Sequence, residues 1–161
     1  MVMAKNLAEH GVWGVTRYEF TKKHFPGDKV IVSDVGAINF LADVRCLDVD
    51  GLASKETFDL KLTGGLTRDA IASLSRGASV AILYGRVFTA GRIPSGWRNV
   101  GSWKIPDNVI CGDDTVFFYS IEGTDQEDLM AKLRQFGTGM PSDIQQAIVD
   151  APRPTSGAGG R

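Results

Sequence analysis

The sequence predicts a single three-layer α/β domain with a mostly parallel sheet and an antiparallel edge. In the first half, short β-branched runs alternate with amphipathic helical segments, and glycine or proline separates them. In the second half, strand-like segments follow one another with shorter connections, which is typical of antiparallel pairing. A chain of 161 residues with 43% hydrophobic residues suits one domain. We place that domain at 4–150 and predict that the polar, Pro/Gly-rich segment 151–161 is a disordered tail.

Three short segments predict parallel strands, and the nearly continuous apolar character of the first indicates burial on both faces. These segments are Lys29–Ser33, Arg45–Val49 and Ser79–Tyr84. Amphipathic spacing and capping residues predict helices around them. The predicted helices are Ala4–Phe25, Gly36–Ala42, one from the cap Ser54 to Leu62, and one from the cap Thr67 to Gly77.

The second half is predicted to contain strands Val100–Ile105 and Thr115–Ile121. A T-x-x-E capping box at Thr124 begins a helix that ends at Gly137. Another helical turn is expected after Pro141, with Ile144, Ala147 and Ile148 facing inward.

Composition excludes several classes of function. The net charge of −1 and the lack of a basic cluster argue against a nucleic-acid partner. Cys46 and Cys111 have no CxxC partner and are interpreted as buried free thiols, with a disulfide between them as the alternative. The two histidines, His10 and His24, stand alone, so no zinc site is predicted. No cofactor is predicted either, since neither dinucleotide nor P-loop glycine patterns occur.

No apolar run is long enough to cross a membrane, and residues 1–11 lack the apolar core of a signal peptide. We therefore expect a soluble chain without a targeting signal of its own.

The stretch from Asp34 to Gly51 is rich in aspartate and allows two interpretations. In the structural one, Asp34 caps the following helix and Gly36 permits close contact between helix and strand. Asp48 then binds loop N–H groups, and Asp50-Gly51 forms a turn. In the functional one, Asp34 and Asp48 stand at the carboxyl ends of parallel strands, where ligands bind, and contact sugar hydroxyls or a cation. The structural interpretation is the favoured one.

The segment Gly85–Asn99 is predicted to be a long loop of functional interest. Trp97 in this loop either stacks on a sugar ring or covers a hydrophobic edge. If the first three strands are parallel, the loop leaves the sheet at the same edge as Asp34. The functional interpretation then predicts a weak carbohydrate site formed by Asp34, Gly36, Asp48, Trp97 and Arg98. No catalytic residue is predicted, because no nucleophile stands in a recognisable relation to a histidine and an acid.

Several motifs, in order along the chain, resemble one family. "DVGAINFLADVRCLDVDGLAS" resembles the D-x-G-A-I-x-Y/F … L-D-x-x-G-L motif that follows the membrane region of many bacterial GT-C-type integral membrane glycosyltransferases, which include arabinosyl- and mannosyltransferases. "FTKKHFPGDKVIVSD", "SVAILYGRVF" and "PSGWRNVGSWKIPDNVICGDDTVFFYSI" resemble the helix, strand and closing segments of the same domain. The sequence departs from the motif at Asp50, where the family often carries an apolar residue.

The resemblance implies a soluble C-terminal domain on the extracytoplasmic side of the membrane. In that family the catalytic acids lie in loops between transmembrane helices, so this chain is expected to be non-catalytic. It would assist glycan acceptor binding or pack on the membrane region of a parent glycosyltransferase. Two alternatives stay open: a free-standing α/β enzyme or binding protein that uses Asp34 and Asp48 on a carbohydrate or a metal-bound ligand, and a protein-interaction module.

Overall fold

The computed structural model describes residues 16–85, 91–105 and 113–149. The predictions for 4–15, Cys111 and the tail 151–161 lie outside these residues. The described helices and strands are α1 (16–24), β1 (Lys29–Val32), α2 (Gly36–Leu41), β2 (Arg45–Asp48), α3 (Lys55–Leu62), α4 (Arg68–Leu74), β3 (Ala78–Tyr84), β4 (Arg98–Lys104), β5 (Thr115–Ser120), α5 (Gln126–Gly137) and β6 (Gln145–Ile148).

The described strands form one mixed sheet in the order β2-β1-β3-β5-β4-β6. β1 pairs in parallel with β2 and β3, as the apolar runs predict. The pairs β3–β5, β5–β4 and β4–β6 are antiparallel. Three of the five pairings are therefore antiparallel, and the predicted mostly parallel sheet is wrong. The chain inserts β5 between β3 and β4, an arrangement that the order of the strands along the sequence does not reveal.

The predicted three-layer architecture also fails for half of the sheet. On the first face, Phe20 of α1, Phe25 just after α1, and Met130 and Leu133 of α5 cover the strands and share a core with Trp103. On the second face, α3 and α4 contribute Leu60, Ile71 and Leu74 to a core with β1, β2 and β3. No described helix contributes to a second-face core over β4 and β6. This antiparallel half therefore has two layers.

The last predicted helical turn is a strand. Residues Gln145–Ile148 alternate between exposed and half-buried and pair with Gly101–Lys104 of β4. Ile144 and Ile148 are four residues apart, a spacing that fits a helix as well as a strand end. The edge of β4 favours a strand over a helix here, because its unpaired backbone N–H and C=O groups form hydrogen bonds with a neighbouring strand.

Two predicted capping residues, Thr67 and Ser54, stand at the start of their helices, but only Thr67 makes a capping hydrogen bond. The Thr67 side chain accepts from the Ala70 N–H and caps α4. Ser54 precedes α3 but makes no cap bond there. At α5 the capping residue is Asp125, which accepts from two backbone N–H groups, while Thr124 bonds to Ile121 instead. The T-x-x-E prediction is therefore wrong by one residue.

Candidate functional site

Asp34, directly after β1, is held by three donors. The Arg17 guanidinium donates to Oδ2 at 2.8 Å and the Tyr84 hydroxyl donates to the same oxygen at 3.1 Å. The Gly36 N–H donates to Oδ1 at 3.1 Å. The Arg17 guanidinium also lies over the Tyr84 ring, 5.1 Å from its centroid. Asp34 thus ties α1, β3 and the start of α2 together.

The pKa of Asp34 follows from this arrangement. Burial disfavours the charged carboxylate and would raise the pKa. The charge and hydrogen bond of Arg17, with the bonds from Gly36 and Tyr84, outweigh burial and hold the pKa below its ordinary value. A carboxylate with a lowered pKa is a stable anion at neutral pH and a poor general acid.

Gly36 serves Asp34 rather than the packing of α2 on the sheet. A Cβ at residue 36 would lie 3.2 Å from Asp34 Oδ1, so a side chain there would press on the carboxylate. The structure therefore does not give Gly36 the predicted role of allowing close contact between helix and strand.

Asp48 at the end of β2 is almost fully buried and organises the following loop. Its carboxylate accepts from the N–H groups of Asp50, Leu52 and Ala53. Its own N–H donates to Ser54 Oγ at 2.8 Å. The carboxylate is fully engaged with the backbone, as the structural interpretation predicts, and offers little to a ligand.

Trp97 and Arg98 lie at the other end of the sheet. β4 and β3 are both antiparallel to β5, so β4 begins where β1 and β3 begin. Asp34 instead follows the end of β1, beside Tyr84. The prediction that the loop brings Trp97 to the edge that carries Asp34 is therefore wrong.

Trp97 covers the second face of the sheet. Only 5% of its surface is exposed, and its ring lies 6.1 Å from that of Tyr119. The Arg98 guanidinium donates to the carbonyl oxygens of Ser95 and Trp97 and so fixes the loop. Of the two roles predicted for Trp97, the geometry matches the hydrophobic cover.

An open groove of about 700 Å³ lies between α3 and the loop that precedes it. We call it the α3 groove; it is lined by Asp50, Gly51, Leu52, Ala53, Ser54, Lys55, Phe58, Lys61 and Leu62. Three of its apolar side chains are exposed: Leu52 by 82%, Phe58 by 48% and Leu62 by 71%. Burial and the nearby charge of Asp48 raise the pKa of Asp50, while the charges of Lys61 and Arg92 counteract the rise.

Sequence reasoning missed this groove, although a signal for it exists. Within α3, Thr57 and Leu60 face the core while Phe58 and Leu62 face outward, so apolar residues occupy two sides of one short helix. A helix of this kind covers the sheet with one side and leaves the other without a partner.

A second depression, of about 460 Å³, lies on the open second face of the sheet. We call it the face pocket; it is lined by Arg68, Gly85, Ile93, Pro94, Ser95, Trp97, Phe117 and Tyr119. Phe117 and Tyr119 are half-buried and alternate along β5 with the buried Val116 and Phe118. The period-two pattern of β5 was visible in the sequence, but the sequence did not show that no helix among residues 16–85, 91–105 and 113–149 covers these rings.

Within residues 16–85, 91–105 and 113–149, no group of three His, Cys, Asp or Glu side chains could hold a metal ion. In the same part of the chain, none of the helices has the length and apolar character that a membrane crossing requires.

The family model for the domain of unknown function DUF8728 matches residues 5–119. The chain belongs to this family. The match includes Asp34, Asp48, the α3 groove and both rings of the face pocket, and it ends before α5 and β6. No curated protein and no solved structure matches the chain.

Proposed function

We propose that this chain is a non-catalytic accessory domain of a GT-C-type membrane glycosyltransferase and docks on the membrane region through the α3 groove. The proposal places the domain on the extracytoplasmic side of the membrane. The exposed side chains of Leu52, Phe58 and Leu62 carry it. Large apolar side chains that share one groove are expensive to leave in water, and such surfaces are typical of protein docking sites.

The groove is shaped in advance for a partner. Gly51 adopts a φ of 75°, and a Cβ there would lie 2.9 Å from Phe58 Cα, so the loop rests directly on the helix. Lys61 donates to the carbonyl oxygen of Asp50 at 3.0 Å and holds the loop from its other side. A preformed apolar surface loses less conformational entropy on docking than a mobile one.

The polar groups fit a supporting role better than catalysis. Asp34 is bound to Arg17, and Asp48 is bound to three backbone N–H groups. The Tyr84 hydroxyl also donates to Asp34, but the lowered pKa of this carboxylate makes it a weak base for activating the hydroxyl. In the proposed assembly the chemistry belongs to the membrane region.

Photo-crosslinking from the groove tests the proposal in native membranes. A photoreactive amino acid at position 58 should crosslink to a polytopic glycosyltransferase, identified by mass spectrometry of the joined peptide. The same group at Glu127, exposed on α5, is the matched control and should not form that product. Leu62→Asp should suppress the crosslink from position 58. Equal products from both positions, or no polytopic partner from position 58, would refute docking through the groove.

A further inference from the structure

Phe117 and Tyr119 place two aromatic rings on the same face of the sheet. They are two residues apart on β5, so their side chains leave the same face. No described helix contributes to the core beyond β5 on this face, and both rings stay half-buried. The residues opposite them on β4 are small or polar: Ser102 faces Phe117, and Asn99 faces Tyr119.

Both rings are held in position by their neighbours. A Cβ at residue 85 would lie 2.6 Å from Phe117 Cε2, so Gly85 allows the ring to rest against the backbone at the end of β3. The Tyr119 ring lies against Trp97 at a 47° tilt. Rings that packing holds lose little entropy when a ligand stacks on them.

Polar groups surround the pair. Within the described residues, the Tyr119 hydroxyl makes no hydrogen bond, and burial raises its pKa. The Asp113 carboxylate stands beside Gly85, at 3.2 Å from where a Cβ would lie. Arg68 of α4 lines the pocket. The pocket therefore joins two aromatic side chains to polar groups near them.

We propose that the face pocket binds one hydroxylated ring of a carbohydrate. The C–H face of a sugar ring is apolar and would lie on Phe117 and Tyr119, while its hydroxyls would bond to the Tyr119 hydroxyl and the nearby polar groups. A net charge of −1 disfavours a nucleic acid, whose phosphates need clustered cations. The pocket is separate from the α3 groove in its lining residues, so this inference does not depend on the proposed docking.

Amide shifts in NMR during titration test the site. The probes are the methyl α-glycosides of mannose, glucose, galactose and arabinose, with glycerol as a polyol that has no ring. At least one glycoside should give saturable shifts at Gly85, Phe117 and Tyr119 with a dissociation constant on the order of millimolar, as expected for a single ring. Glycerol should give none.

Three variants make the result specific. Phe117→Leu keeps an apolar side chain but removes the flat ring, and should abolish saturation. Tyr119→Phe removes only the hydroxyl and should weaken binding about threefold to tenfold. Phe58→Ala in the α3 groove should leave binding unchanged. Lack of saturation by all four glycosides up to about 50 mM would overturn the proposal, and so would full binding by Phe117→Leu or saturable binding of adenosine without any glycoside.

Discussion

The Arg17 guanidinium, with only 7% of its side chain exposed, donates to the carboxylate of Asp34 at 2.8 Å. This bond links α1 to the turn after β1, across 17 residues of sequence. A buried guanidinium without its counter-charge is expensive, which makes the pair a test of whether Asp34 is structural.

We predict that Asp34→Asn and Asp34→Ala both destabilise the fold, with Ala the worse. Asn keeps an acceptor for the Gly36 N–H but removes the negative charge that pairs with Arg17; Ala removes both. Breaking a buried pair costs about 3–5 kcal/mol. Because the Asp34 side chain is 35% exposed, we expect roughly 1–3 kcal/mol for either variant. Urea unfolding measures the loss. If Asn matches the parent, the bond from the Gly36 N–H alone explains Asp34, although Val35 rather than Asp34 is the N-cap of α2.

Acid should remove the same contribution. The folded pKa of Asp34 lies below its ordinary value of 3.8, so the unfolded chain binds the proton first as pH falls. The stabilisation is present above about pH 4 and is lost as pH falls through the folded pKa. Asp34→Asn should therefore lose less stability than the parent between pH 4 and pH 2, measured by urea midpoints. Parallel losses in both proteins would contradict this assignment.

Gly51→Ala should destabilise more than Gly64→Ala, although both glycines have positive φ, at 75° and 70°. At Gly64 nothing lies within 4 Å of an added Cβ, so only the positive-φ backbone conformation destabilises the Ala variant, by about 1–2 kcal/mol. At Gly51 the Cβ would meet Phe58 Cα and N, and backbone atoms cannot turn away. We expect about 3 kcal/mol or more there. Thermal unfolding compares them, and equal melting temperatures would show that the loop does not rest on α3.

The isolated chain should transfer no sugar from lipid-linked donors to a glycan acceptor. Two carboxylates, Asp34 after β1 and Asp48 at the end of β2, are engaged in holding the fold rather than in activating a nucleophile. Product analysis by mass spectrometry checks this expectation. Turnover that survives purification and disappears in Asp34→Ala, while Gly64→Ala retains it, would make this carboxylate catalytic and refute the accessory role.

The sequence predicts local structure well where local physics decides it. The apolar runs of β1, β2 and β3 locate these strands to within one or two residues and predict their parallel pairing. Thr67 is a cap because its hydroxyl reaches an N–H three residues away, a contact that local sequence specifies.

Long-range pairing could not be obtained in this way. That β5 lies between β3 and β4 depends on which edges meet, and this arrangement sends Trp97 away from Asp34. The Arg17–Asp34 and Tyr84–Asp34 bonds join residues 17 and 50 positions apart, and no local pattern specifies either. The two depressions arise from what the helices leave uncovered, which only the assembled sheet shows.

His24 should weaken the fold as pH falls from neutral to mildly acidic. Its ring packs against Phe20 and Phe136, at centroid distances of 5.0 and 6.2 Å, and its buried Nε2 has no hydrogen-bond partner within the described residues. Burial lowers its pKa, Lys23 and Lys132 lower it further, and Asp128 raises it only in part. The unfolded chain therefore takes up the proton first, at about pH 6.5, and stability declines below that value until the folded pKa is passed.

Urea midpoints at pH 7.5 and pH 5.5 measure this decline. His24→Phe keeps an aromatic ring between Phe20 and Phe136 but cannot bind a proton, so its midpoint should change less between the two pH values. His10 is present in both proteins and contributes equally to each. The difference between their changes of urea midpoint with pH therefore reports His24 alone. An equal change of the urea midpoint with pH in parent and variant would contradict the assignment, because charging the buried imidazole would then cost no stability.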